Sequence, residues 1–174
     1  IILVISFDKL SAQYDAGSVY WISIEEAQYY MADNPKPMLL YFYKNDCIYC
    51  QKMEKTTLRN TDVIKYINQN FHAVKFNAEY KGDLMFLNKV FKNTKPDLET
   101  SKHQLALNYA VINKTIGFPT IVFFNEDFQR IIPPLRGSQS VKKFEKYLRF
   151  VAEMRYLEQS IDIFSEDFEG SFCD

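Results

Sequence analysis

The spacing of apolar and polar residues divides the chain into short, strongly patterned segments. Ser23-Ile-Glu-Glu26 is a capping box: the serine is placed to accept an N–H of a first helical turn, and the glutamate to bond back to the cap. A helix is therefore predicted from near Ile24. Asn34-Pro-Lys-Pro37 must stop it, since two prolines withhold donors and bias the residues before them to extended geometry. From Met38 to Tyr43 the chain is continuously apolar and aromatic and is bounded by turn formers, the pattern of a central strand covered on both faces. Lys44-Asn-Asp46 turns the chain, and 47–58 lacks Gly and Pro and suits a helix opening at Cys47. Thr61 and Asp62 start another helix ending near Asn70, and 71–76 reads as a second buried strand.

Residues 81–117 read as an inserted helical excursion, with a helix over 83–91, a turn at 93–95 and a short helix at 103–109. Segments 120–125 and 129–132, joined by Glu126-Asp-Phe128, predict an antiparallel hairpin. A last helix is expected over 140–157. Val141, Phe144, Leu148, Val151 and Met154 form its apolar stripe, while Lys142, Lys143, Lys146 and Arg149 fall largely off it as a solvated face. No internal repeat is visible. The whole reads as an N-terminal segment 1–19, one α/β domain over 20–157 and a weakly patterned tail 158–174.

Composition narrows what such a domain can do. At 174 residues with 47% hydrophobic and 25% charged positions, the chain has room for a real core and is not of disordered composition. Its 21 basic and 22 acidic side chains leave no basic surplus for a phosphate backbone, so nucleic acid is not an expected partner. The longest apolar run, six residues, is far short of the roughly 20 needed to span a bilayer as a helix. The aromatic residues follow core periodicity and read as packing. At the start, Ile1, Ile2, Leu3, Val4 and Ile5 precede a small-residue site around Ser11 and Ala12. Two readings stand open there, the stump of a secretory signal and a first β-strand.

Three cysteines are too few for a disulfide framework, and two of them form Cys47-Ile-Tyr-Cys50. Residues i and i+3 share one helix face, so the two sulfurs can come within bonding distance. At a helix N-terminus the free N–H groups and the macrodipole favour a thiolate. Cys47 gains most from this and is expected to attack; Cys50, one turn further in, is expected to resolve the mixed disulfide. Two other readings compete. A zinc site needs a second half, and only Cys173, His72 and His103 remain, scattered along the chain. A purely structural disulfide would close so small a loop that it removes little chain entropy. No metal or cofactor is expected.

With Gly117-Phe-Pro-Thr120 downstream, the order of strand, cysteine pair, helices, strand, hairpin and terminal helix resembles the thioredoxin superfamily over about 21–151. The resemblance implies a thioredoxin fold, a central mixed sheet flanked by helices, with the insertion before the strand that follows Pro119. It also implies that Pro119 is cis and faces the cysteines, leaving the backbone of Phe118 to pair with an extended substrate, with Ile48 and Tyr49 at the same contact surface. Trp21-Ile-Ser-Ile-Glu-Glu-Ala27, Gln51-Lys-Met-Glu54, Tyr66-Ile-Asn-Gln-Asn-Phe71, Ala73-Val-Lys-Phe76 and His103-Gln-Leu-Ala106 are similar to thioredoxin-related proteins exported to bacterial envelopes. That similarity implies a periplasmic protein rather than the alternative, a cytoplasmic one.

The implied function is thiol-disulfide exchange with protein thiols and disulfides, as a monomer, with a further redox partner to recharge the cysteines. The alternative is a non-catalytic binding or chaperone module built on the same groove. The chain departs from the family pattern at three places. Tyr41 stands where thioredoxins carry a buried Asp, Asp46 stands where they carry Trp, and Ile48-Tyr49 replaces Gly-Pro. Lys75 matches the family's buried lysine. Proton removal from Cys50 must then use another route, water or the Asp46 carboxylate. Of the remaining residues, His72 reads as packed or surface, His103 as a cap or surface residue, Cys173 as a spectator thiol, and Asn113-Lys-Thr115 as a glycosylation triplet too short to carry weight.

Overall fold

A computed structural model describes residues 17–173. The N-terminal apolar run at 1–5, with its two readings, lies outside the described residues. The described chain begins its regular structure with β1 (Trp21–Ile22), and the capping box forms as its residues require. Ser23 Oγ accepts the Glu26 N–H at 3.0 Å and the Glu26 carboxylate accepts the Ser23 N–H at 2.7 Å, opening α1 (Ile24–Asp33). After the two prolines comes β2 (Met38–Tyr43), then α2 (Ile48–Lys55), α3 (Thr61–Asn70) and β3 (His72–Asn77). Helix α2 is shorter than its lack of Gly and Pro suggests. It ends at Thr56, and a short 3-10 turn, Thr57–Arg59, carries the chain to Asn60, whose side chain caps α3.

The segment 83–91 is not the expected helix but a hairpin, β4 (Leu84–Phe86) and β5 (Lys89–Phe91). Leu87 and Asn88 both adopt positive φ, 51° and 58°, the geometry of a two-residue hairpin turn. Leu84 and Phe86 point inward and Met85 outward, a period of two too short to stand out in sequence. The short helix α4 (Gln104–Tyr109) forms as expected. A second tight hairpin follows, β6 (Val111–Ile112) and β7 (Thr115–Ile116), turning at Asn113 and Lys114 with φ of 50° and 62°. Asn113 of the Asn-Lys-Thr triplet thus has a structural task in that turn.

Strand β8 (Thr120–Phe124) returns along β2. The expected partner strand at 129–132 is reduced to one bridge, Phe124 to Arg130, with the Ile131 N–H donating to the Phe123 carbonyl at 3.0 Å; Pro133 and Pro134, which cannot donate, interrupt the ladder beyond it. Pairing resumes at β9 (Leu135–Arg136). The last long helix, α5 (Val141–Ala152), is capped by Ser140 and stops before Met154, whose φ is 53°; a 3-10 turn covers Arg155–Leu157. Beyond it, α6 (Ile161–Glu166) and the tail fold back rather than trail away. Phe172 is buried against the Tyr66 ring at 5.6 Å, and the buried Glu145 carboxylate accepts the N–H groups of Ser171 and Phe172, each at 2.9 Å.

The central sheet runs β1-β3-β2-β8-β9. Strands β1, β3 and β2 are mutually parallel, β8 is antiparallel to β2, and β9 is antiparallel to β8. Strand β2 lies in the middle, as its unbroken apolar run demands, and from Met38 to Phe42 it is buried on both faces. One face packs Leu39, Tyr41, Ile121 and Phe123 against α2, α3 and α5 through Met53, Ile64, Ile67, Phe144 and Leu148. The other packs Leu40, Phe42, Val74 and Val122 against α1 and the inserted segment through Ala27, Met31, Phe86, Phe91 and Leu105. The insertion is therefore a lid on the second core, with Phe86 fully buried, a burial worth about 1.5–3 kcal/mol.

Candidate active site

Central strand β2 delivers the chain to the cysteines through an exposed turn. Asp46 sits there at φ 51°, a left-handed conformation that Asp tolerates better than most side chains. Cys47 is the N-cap of α2, and its Sγ accepts the Cys50 N–H at 3.2 Å, so one of the free donors of the first helical turn is aimed at sulfur. Cys47 and Cys50 form a disulfide with Cα atoms 5.2 Å apart. Cys50 is 2% exposed and Cys47 6%. Between them Ile48 and Tyr49 stand in solvent at 78% and 65% exposure, two large apolar side chains with nothing packed over them.

The Phe118–Pro119 peptide bond is cis. Gly137 N–H donates to the Pro119 carbonyl at 2.8 Å and the Thr120 hydroxyl to the Gly117 carbonyl at 2.7 Å, which ties this loop to β9 and to itself. Among the described residues, neither the N–H nor the carbonyl of Phe118 has a hydrogen-bond partner. Cys47, Ile48, Tyr49, Gly117 and Phe118 line one open groove of about 380 Å³, with Ile116 of β7 and the charged Lys44, Asp46 and Lys102 around it. The fold thus brings together Asp46, Cys47, Ile48, Tyr49 and Phe118. Lys75 is elsewhere, on β3, where it pairs with Glu54 at 3.2 Å and lies over the Tyr43 ring at 4.7 Å; it is partly exposed rather than buried.

The other chemically capable residues serve the fold. One ring nitrogen of His72 lies 2.8 Å from the Asn34 carbonyl, and burial lowers its pKa. His103 caps α4: Nδ1 accepts the Leu105 N–H at 3.2 Å and Nε2 lies 3.1 Å from the Gly82 carbonyl. It is fully buried rather than exposed, and burial lowers its pKa too. Cys173 is free and exposed, and its backbone is held by the side chains of Asn60 and Asp62. Among the described residues, no three His, Cys, Asp or Glu side chains gather as a metal site, and no helix is long and apolar enough to cross a membrane. Glu54, marked in the sequence only as part of Gln51-Lys-Met-Glu54, stands one turn after Cys50 on α2, paired with Lys75 and 3.4 Å from the Tyr41 hydroxyl.

A cysteine pair at the head of a helix, fed by the central strand of a mixed sheet and facing a proline loop, defines a thioredoxin-type redox site. The family model described as a thioredoxin-like domain matches residues 24–152, and the chain belongs to that family. Among solved structures it is similar to a thioredoxin-fold protein from Helicobacter pylori, at 26% identity and a TM-score of 0.56, over 76% of this chain and 80% of that one. It is also similar to a thioredoxin from Thermus thermophilus, at 23% identity and a TM-score of 0.56, over 77% and 87%. A DsbH oxidoreductase matches at 19% identity and a TM-score of 0.53, over 86% and 96%. Among curated protein sequences, none matches this chain.

Proposed function

We propose that the protein is a thiol-disulfide oxidoreductase that exchanges disulfides with protein substrates through Cys47 and Cys50. The observation that carries this reading is the Cys47–Cys50 disulfide at the head of α2, opening into a groove with an unpaired Phe118 backbone. In the dithiol form, the Cys47 thiolate attacks one sulfur of a substrate disulfide. A mixed disulfide forms and the first substrate thiolate leaves. The Cys50 thiolate then attacks Cys47 Sγ, the enzyme disulfide forms and the second substrate thiolate leaves. Each departing thiolate takes up a proton, so two electrons and two protons pass to the substrate. The same steps run backwards when the compartment supplies oxidant.

The Cys50 N–H on Cys47 Sγ and the start of α2 favour the attacking thiolate. Ile48 and Tyr49 give an extended apolar segment a surface to lie on, and the Phe118 backbone gives it an edge to pair with. The similarity to exported thioredoxin-related proteins supports a place in the bacterial envelope, with a separate redox protein as electron partner. With dithiothreitol as electron source, the parent protein is expected to accelerate reduction of a test protein disulfide, and Cys47→Ser to fall to the uncatalysed background. A folded parent with no acceleration leaves the groove as a binding surface only.

Asp46 sets a negative charge next to the attacking sulfur and opposes its ionisation. Asp46→Asn is expected to speed alkylation of Cys47 in the reduced protein by roughly two- to fivefold below neutral pH, the range of an exposed charge pair. Iodoacetamide labelling followed by peptide mass spectrometry reads this, and an unchanged or slower rate removes the charge argument.

A further inference from the structure

Cys50 is 2% exposed, yet it must lose its thiol proton before it can attack, because the thiolate is the nucleophile. Water has little access to it. Asp46 lines the groove with Cys47, a groove that Cys50 does not line. A different carboxylate is better placed. Glu54 follows Cys50 by one turn on α2, on the same helix face, where Cβ atoms stand roughly 5–6 Å apart. The Tyr41 hydroxyl, from the central strand, joins the two residues: it lies 3.4 Å from Glu54 Oε1 and 3.5 Å from the Cys50 carbonyl oxygen. Lys75 holds Glu54 Oε2 at 3.2 Å. Tyr41 and Lys75 are register partners on β2 and β3, so the sheet itself fixes the spacing of the two groups that grip the carboxylate.

We propose that Glu54 is the proton acceptor for Cys50, with Tyr41 and Lys75 as its positioning residues. The inference rests on the oxidoreductase reading above. In the resolving step the Cys50 S–H bond breaks and its proton goes to the Glu54 carboxylate, directly or over one water. The Cys50 thiolate then displaces substrate thiolate from Cys47 as the Cys47–Cys50 bond forms. The proton on Glu54 passes to solvent, which reaches it because its side chain is 32% exposed. The groups facing this carboxylate or its Lys75 partner from the packed strands are Tyr41 and Tyr43 on β2 and Lys75 on β3. Burial first, and the Glu54 charge second, push the Tyr41 hydroxyl far above its ordinary pKa, so it stays a neutral donor and is not the base. The Lys75 ammonium has no lone pair to offer, and its part is to hold the Glu54 carboxylate through their ion pair.

The test uses the reduced chain carrying Cys173→Ser and an aromatic disulfide whose thiolate is coloured. Stopped-flow absorbance then shows two phases, one equivalent of thiolate from attack by Cys47 and one from resolution by Cys50. Glu54→Gln keeps the side-chain shape and an acceptor for Tyr41. It is expected to slow the second phase about 100-fold near neutral pH, leave the first within about twofold, and make the second rise steeply with hydroxide, since general-base assistance is typically worth ~10²–10⁴. Glu54→Asp is expected to restore part of the loss. Tyr41→Phe, which removes one hydroxyl, is expected to slow only the second phase, by roughly fivefold, the worth of one hydrogen bond.

A second phase in Glu54→Gln with parental rate and pH profile overturns the proposal. Should that variant lack the parental circular dichroism, Tyr41→Phe decides, and an unchanged second phase there overturns it equally. A parent protein that shows no first phase counts against the oxidoreductase reading itself rather than against Glu54.

Discussion

Cys50→Ser, in a chain that also carries Cys173→Ser, is expected to hold substrate covalently on Cys47. The serine cannot attack the mixed disulfide, so the intermediate loses its intramolecular exit while its formation continues. The support for the attacking thiolate survives the substitution, because the donor to Cys47 Sγ is the backbone N–H of residue 50 and not its side chain. Removing Cys173 matters because that thiol is free and exposed and can mimic such adducts. With a test protein disulfide, adducts are expected to rise from trace amounts in the parent to nearly one per chain. Non-reducing electrophoresis of bacterial envelope extract is expected to show discrete bands that reduction abolishes and that Cys47→Ser lacks. Mass spectrometry of those bands then identifies substrates or the electron partner. Adducts that persist without Cys47 contradict the division of labour between the two sulfurs.

Glu145→Ala is expected to free the C-terminal tail and cost about 3 kcal/mol, the sum of charge-assisted hydrogen bonds and the burial of Phe172. Glu145 lies on α5 with no exposed surface, and it gathers Arg149 Nε at 2.8 Å together with the Ser171 and Phe172 N–H groups. Burial by itself raises its carboxyl pKa. The N–H groups of Phe172 and Ser171, Arg149 and the Ser171 hydroxyl outweigh burial and hold it below the ordinary value. A carboxyl that is lower in the folded than in the unfolded chain adds stability that is complete above its unfolded value and lost as pH falls through its folded one. Tail docking is therefore complete at neutral pH and weakens only below the ordinary carboxylate range. Urea unfolding at neutral and acidic pH reads both effects: the variant is expected to be less stable at neutral pH and to lose part of the acid-side decline. Equal stability of parent and variant, with equal resistance of the tail to proteolysis, contradicts this docking.

The features legible in sequence are those whose causes are local. The capping box at Ser23, the apolar run at Met38–Tyr43, the prolines that end α1 and the stripe from Val141 to Val151 each act within a few residues and form their elements, while Met154, counted in that stripe, falls beyond α5 and is exposed. The hairpin at Leu84–Phe91 escapes because its turn, Leu87-Asn88, has no glycine to announce the left-handed geometry, and because the strands are three residues each. Strand β9 is displaced from the predicted return segment by two prolines whose effect depends on which N–H groups face β8. At the candidate site, Cys47, Ile48, Tyr49, Asp46 and Phe118 come together much as the motif order implies. Glu54 was hidden because its partners, Tyr41 and Lys75, meet it only through the β2-β3 register, and the sequence alone does not report that register. The tail was unreadable for a similar reason: Ser171 and Phe172 find their acceptor on Glu145, 26 and 27 residues earlier.

A single-turnover exchange follows the Cys47–Cys50 chemistry itself. Reduced protein is mixed with an equal amount of a test protein disulfide, quenched with acid at intervals, and analysed by peptide mass spectrometry alongside a count of substrate thiols. The peptide joining Cys47 and Cys50 is expected to change from dithiol to disulfide at the rate at which two substrate thiols appear, and Cys47→Ser to yield neither. A folded protein whose two cysteines stay reduced while the substrate disulfide stays intact contradicts the oxidoreductase reading.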